Sequence, residues 1–142
     1  MLLRFFIYGA LGWCMEVIFT GVSSLLKHDR SATAKTYLWM HPIYGATALL
    51  LEGAHDLMST APWFARGFAY LAIIYAAEAL SGWILRRVLG SCPWDYGRGP
   101  WSVAGLIRLD YAPAWYLAGL LFEPVRLLLA GLAKLPLRVA FP

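Results

Sequence analysis

The sequence predicts an all-α, polytopic transmembrane helical bundle of about four spans carrying an ordered interfacial loop. Three observations predict it. Apolar stretches at 2–26, 37–57, 67–88 and 111–132 each have the ~20-residue length that crosses bilayer hydrocarbon. Charged residues make up 14% of the chain, against ~25% in an ordinary soluble domain, and mean hydropathy is +0.61. The first three stretches each enclose one glutamate, Glu16, Glu52 and Glu78. An ionisable group at that depth costs at least ~2.5 kcal/mol, so it is kept for a packed polar interior or a pathway.

The first stretch, 2–26, ends at the charged run Lys27-His28-Asp29-Arg30. Arg4, the apolar run and Ala32-Thr33-Ala34 have the outline of a secretory signal. The run is too long for an h-region and Glu16 interrupts it, so the reading is a retained span. The second stretch opens on Tyr37 and Trp39, rings of the interfacial kind, with His41-Pro42 where proline suits a first helical turn. It closes at His55-Asp56. The third ends in Arg86-Arg87 and is stopped by Gly90-Ser91-Cys92-Pro93.

Residues 94–110 differ in character, being aromatic and glycine-rich with Asp95, Arg98, Arg108 and Asp110. They read as an ordered interfacial or re-entrant loop, whose backbone must be satisfied by protein or water at membrane depth. In Trp94-Asp95-Tyr96 a carboxylate stands between two amphipathic rings, where it can accept backbone bonds or pair with Arg98 or Arg108. The loop either gates the polar interior or braces it as an aromatic anchor. The last stretch contains Glu123-Pro124 and Arg126. It is either one kinked crossing or a short span followed by a surface helix over 124–138, and a fourth crossing is favoured.

With four spans, the connections 27–36 and 86–110 share a side with seven basic residues, against five on the other. The positive-inside rule then places both termini outside the cytoplasm. Localisation is expected in a bacterial-type inner membrane or plasma membrane. The basic residues flank apolar stretches, so the net charge of +4 implies membrane lipids as partners and not nucleic acid. No G-x-x-x-x-G-K-[ST] loop is present, so transport driven by ATP requires a separate ATPase chain. Stripes of small and polar residues imply a homo-oligomer or other membrane chains as partners.

Residues three or four apart share a helix face. Gly9, Gly12, Glu16, Thr20 and Ser23 or Ser24 line the first span; Gly45, Ala48, Glu52 and Asp56 the second, one turn after His41; Glu78, Ser81 and Gly82 the third. In antiparallel spans Glu16 and Glu78 share a depth, with Glu52 nearer the N-terminal side. Such carboxylates share a proton, bind a cation or pair with a base. They either hold the bundle together or line a substrate or ion pathway of Glu16, Glu52, Glu78, Tyr44 and His41. Catalysis has little support. The single Glu52-x-x-His55 pair is half of a di-iron signature, two cysteines make no disulfide framework or metal pair, and no zinc or serine-hydrolase motif occurs. No enzyme activity, metal or cofactor is therefore expected.

Gly12-Trp13-x-x-Glu16, Pro42-Ile43-Tyr44-Gly45, Glu78 with Gly82, Trp94-Asp95-Tyr96, and then Gly105, Ile107 and Trp115 follow one another along most of the chain. In these elements the sequence resembles the putative ABC-transporter type IV, CmpB-like membrane proteins. The pattern differs at Gly97 and Trp101-Ser102, where the family usually has a serine and a Phe-Asn pair, and at Leu38-Trp39-Met40, where it has glycines. The resemblance implies a small permease-like or transport-associated component. The alternative is a non-transporting scaffold or accessory subunit.

Overall fold

A computed structural model describes residues 1–132. Four helices make the framework: α1 (Leu2–Leu26), α2 (Met40–Leu57), α3 (Trp63–Leu89) and α4 (Ala112–Leu132). A two-stranded antiparallel hairpin, β1 (Ser102–Val103) with β2 (Ile107–Arg108), and a 3-10 turn over Leu109–Tyr111 lie between α3 and α4. The all-α class and the ordered loop are as the sequence predicts, and the small hairpin is an addition.

Local chemistry sets the helix ends. Pro62, in extended conformation, precedes α3, and Gly90 stops it in the left-handed region at φ 75°, the usual glycine C-cap. Helix α2 starts at Met40 rather than Tyr37, because Leu38 and Trp39 belong to the turn leading into it. Helix α4 runs unbroken through Pro124 to Leu132, so the short-span alternative does not hold as far as Leu132. Residues 133–138 of the surface-helix reading lie outside the described residues.

Among the described residues, three helical segments are long and apolar enough to cross a membrane: Leu2–Leu26, Trp63–Leu89 and Leu109–Gly131. Helix α2 falls outside this set. Its 18 residues span about 27 Å, and His41, Glu52, His55 and Asp56 dilute its apolarity.

Successive helices run antiparallel, with α1 on α2, α2 on α3 and α3 on α4; α2 also touches α4. Tyr8, Leu51, Tyr70 and Phe122, one from each helix, form the buried core, flanked by Ala48, Ile73 and Val125. Glycines allow the close approach. A methyl at Gly45 would stand 2.6 Å from the Phe5 carbonyl oxygen, and one at Gly119 would stand 2.6 Å from Tyr70 Cβ.

Both long connectors fold back along the helix they leave. After the turn at Lys27–Arg30, the Lys35 amide donates to Thr20 Oγ1 (3.0 Å) and Trp13 Nε1 donates to the Tyr37 carbonyl (2.9 Å). At 1.5 Å per residue that is a return of about 20 Å from the end of α1. The second connector descends as far along α3, where the Tyr75 hydroxyl donates to the Arg108 carbonyl (2.8 Å). The helix halves beside these connectors present Ile18, Phe19, Val22, Leu80 and Ile84 outward, the surface expected against acyl chains. The connectors' polar backbone is shielded on one side by the helices they follow.

Candidate functional site

The acids on the helices fall into two environments. At the end holding the start of α1, every one of them meets an arginine. Glu52 Oε1 accepts from Arg4 Nη1 (2.9 Å) and the Tyr8 hydroxyl (2.9 Å), with Arg126 Nε 3.9 Å away. Arg126 also pairs with Asp56. Glu123 receives both Arg66 Nε (2.6 Å) and Nη2 (2.8 Å), the two-bond geometry suited to a guanidinium. The Tyr70 hydroxyl lies 2.9 Å from both Glu123 Oε1 and His55 Nδ1. This end is a charge-balanced lock across α1, α2, α3 and α4.

Toward the other end, Glu16 and Glu78 have no cationic partner among the described residues. Thr36, carried down by the first connector, donates to Glu16 Oε2. Tyr96, carried down by the second, donates to Glu78 Oε1 (2.6 Å). Tyr44 of α2 lies against Glu16 and in the neighbourhood of Glu78. The Trp115 indole of α4 faces Glu78 without closing an aligned bond. Glu78 Oε2 and Trp115 Nε1 are both buried with no hydrogen-bond partner among the described residues. Four helices and both connectors converge on this group.

The structure thus brings Glu16, Tyr44 and Glu78 together, and sets Glu52 and His41 apart from them. Glu52 belongs to the arginine lock, and its i+3 neighbour His55 turns to Tyr70 instead, so the pair does not act as one ligand set. His41 sits among Phe5, Phe6 and Trp13, its Nε2 3.2 Å from the Phe6 carbonyl. Thr36 had no motif to announce it. Trp115 was visible only through the resemblance. Arg66, Tyr70, Glu123 and Arg126 are recruited across α3 and α4 by packing.

In the loop, Trp94 Nε1 donates to the Leu106 carbonyl (3.1 Å) and the Tyr96 amide to the Gly105 carbonyl (3.0 Å). Asp95 was expected to accept backbone bonds or to pair with Arg98 or Arg108; the backbone bond forms, and neither of those pairs does. It accepts from the Gly97 amide (2.9 Å) and faces Arg86 of α3 at 3.6 Å. Gly97, at φ 65°, reverses the chain and turns Arg98 away into solvent. Arg108 pairs with Asp110 and stacks over Tyr111 at 4.7 Å. Burial first and the neighbouring Glu78 carboxylate second push the Tyr96 phenol up.

Cys14 and Cys92 are unpaired, and no group of three or more His, Cys, Asp or Glu among the described residues could hold a metal. No solved structure matches the chain. The family model described as "Putative ABC-transporter type IV" matches residues 3–138, and the chain belongs to that family.

Proposed function

We propose that this protein is a single integral membrane domain crossing the bilayer four times, and that it serves as a transport component. Glu16, Tyr44 and Glu78 form the polar station of a pathway for a proton or cation. One observation carries the reading. Glu52, Asp56 and Glu123 are matched by arginines within the bundle, whereas Glu16 and Glu78 are not. A carboxylate at membrane depth without a counter-charge holds a proton or takes up a cation. Thr36 and Tyr96 close the station from the connectors, which makes the Trp94–Tyr96 segment its brace or gate. Family membership supports a transport role and points to an ATPase on a separate chain.

A second reading, a membrane scaffold without transport, draws support from the same two bonds, because Thr36 and Tyr96 also pin both connectors to the helices. Membrane vesicles from expressing cells retain any partner chains and separate the readings. Proton and cation movement is followed with entrapped pH-sensitive and cation-sensitive dyes, with and without ATP. The transport reading expects flux above vector controls, cut by at least ~100-fold in Glu16→Gln and Glu78→Gln at equal protein level, the lower end of the range for losing one positioned proton-transfer group. Undiminished flux in both variants sinks it. Unchanged flux with lowered thermal stability establishes the scaffold.

A further inference from the structure

The bases of the two ends are used differently. At the lock end Arg4, Arg66 and Arg126 are all committed to Glu52, Glu123 and Asp56. At the connector end Arg86 and Arg108 face Asp95 and Asp110. Lys27, Arg30, Lys35, Arg87 and Arg98 are exposed there and form no ion pair among the described residues, which include all eight acids of the chain. Among the described residues, the excess of unpaired positive charge therefore belongs to one end alone.

That end also has a receptacle. An open bowl of about 560 Å³ lies between the end of α3 and the hairpin, lined by Arg86, Asp95, Gly97, Arg98, Gly99 and Ser102. Its floor is fixed, because Arg86 Nη1 donates to the Ala104 carbonyl (2.6 Å) and Asp95 is occupied by Arg86 and the Gly97 amide. Ser102 Oγ donates to the Gly97 carbonyl (2.7 Å), so its one proton is committed within the loop. Arg98 is the group left without a partner.

The surroundings identify the occupant. Trp83 and Trp101 are 52% and 58% exposed, and Val88, Leu89 and Val103 are exposed beside them. The Arg87 guanidinium rests over the Trp83 ring at 5.6 Å. Large amphipathic rings with basic side chains at a span's end sit at headgroup level. A rim that is apolar below and cationic above fits a bilayer surface better than a soluble partner. We propose that the bowl seats the phosphate of an anionic phospholipid headgroup, held by Arg98 above the fixed Arg86. Lys27, Arg30, Lys35 and Arg87 concentrate such lipids at the same end. The inference does not depend on the transport reading. It also orients the bundle, with the connectors on the cytoplasmic side and the start of α1 on the other.

Native mass spectrometry of the full chain tests it, after equilibration in neutral detergent with equimolar phosphatidylglycerol and phosphatidylcholine. The wild type is expected to retain phosphatidylglycerol preferentially. Arg98→Ala, which removes no contact within the protein, should lower that preference by about fivefold, the usual contribution of one basic residue at an anionic surface. Equal retention of both lipids by the wild type, or an undiminished preference in Arg98→Ala, overturns the proposal. So does displacement of phosphatidylglycerol by inorganic phosphate at millimolar concentration, which marks a site for free phosphate instead.

Discussion

Gly45 and Gly53 lie on one helix, and the same substitution at each should have opposite consequences. A methyl at Gly45 would stand 2.6 Å from the Phe5 carbonyl oxygen and 2.9 Å from its ring, whereas at Gly53 it would meet nothing within 4 Å. Ordinary contact begins near 3.4 Å, so Gly45→Ala must push α1 from α2 by roughly 0.8 Å or bend one of them, against a steeply repulsive potential. Overpacking of this kind costs about 1–3 kcal/mol. Both substitutions gain the same helix propensity, up to about 1 kcal/mol, and this cancels in the difference. Gly53→Ala is therefore expected to be neutral or stabilising, and Gly45→Ala to be less stable than Gly53→Ala by about 1–3 kcal/mol. Reversible unfolding in mixed micelles, with denaturing detergent as titrant and helix content as readout, measures both on one scale. Equal stability of the two variants would show that α1 and α2 are not packed backbone to backbone at this point, and the α1–α2 interface described above would be wrong.

Two further outcomes follow from the connectors. Tyr96→Phe removes the donor to Glu78 Oε1, and a bond to an acid of this kind contributes about 1.5–3 kcal/mol. Amide exchange across 94–108 should quicken by at least ~tenfold, with α1 unchanged; uniform protection across the loop would mean that Tyr96 does not hold it down. Arg108→Ala removes the ion pair with Asp110 and the stack over Tyr111, and amide exchange across 107–111 should quicken by roughly two- to fivefold; unchanged exchange there would mean that the pair does not hold the end of the second connector.

The helices were legible because length and apolarity are local properties. The stretch 2–26 is α1 to the residue, and 111–132 is α4 give or take one residue. Residues 67–88 miss a turn of α3, since Trp63 to Arg66 look like a polar connection until Arg66 finds Glu123. The start of the second stretch was placed early because interfacial aromatics mark a depth and not a conformation. Helical spacing also identified the face of α1 that meets its neighbours. Gly9 lies under His41 and Gly12 under Tyr44, Glu16 receives Thr36 and Thr20 holds the connector at Lys35.

Partner choice was not legible. Nothing in the spacing joins Arg4 to Glu52 or Arg66 to Glu123, which are far apart in sequence and meet only when α1 packs on α2 and α3 on α4. Three glutamates that look equivalent in the chain thus separate into one neutralised by arginines and two that are not. For Asp95 the backbone alternative formed, and the pairing with Arg98 or Arg108 did not, for a related reason. A glycine with positive φ at residue 97 sends Arg98 outward, and no rule based on proximity along the chain anticipates the helix arginine that takes its place.

The doubling back of the connectors constrains how the protein is made. Residues 30–39 cannot enter lipid by themselves, because Thr20 and Trp13 of α1 satisfy groups at Lys35 and Tyr37. The first helix and its descending tail must therefore leave the insertion machinery as one unit, with α2 following close enough to cover Glu16. The same holds for α3, the hairpin and α4. On the four-crossing reading, insertion is expected to proceed by two hairpin-like cassettes, and truncation after Leu26 or Leu89 should strand a helix whose acid has no cover.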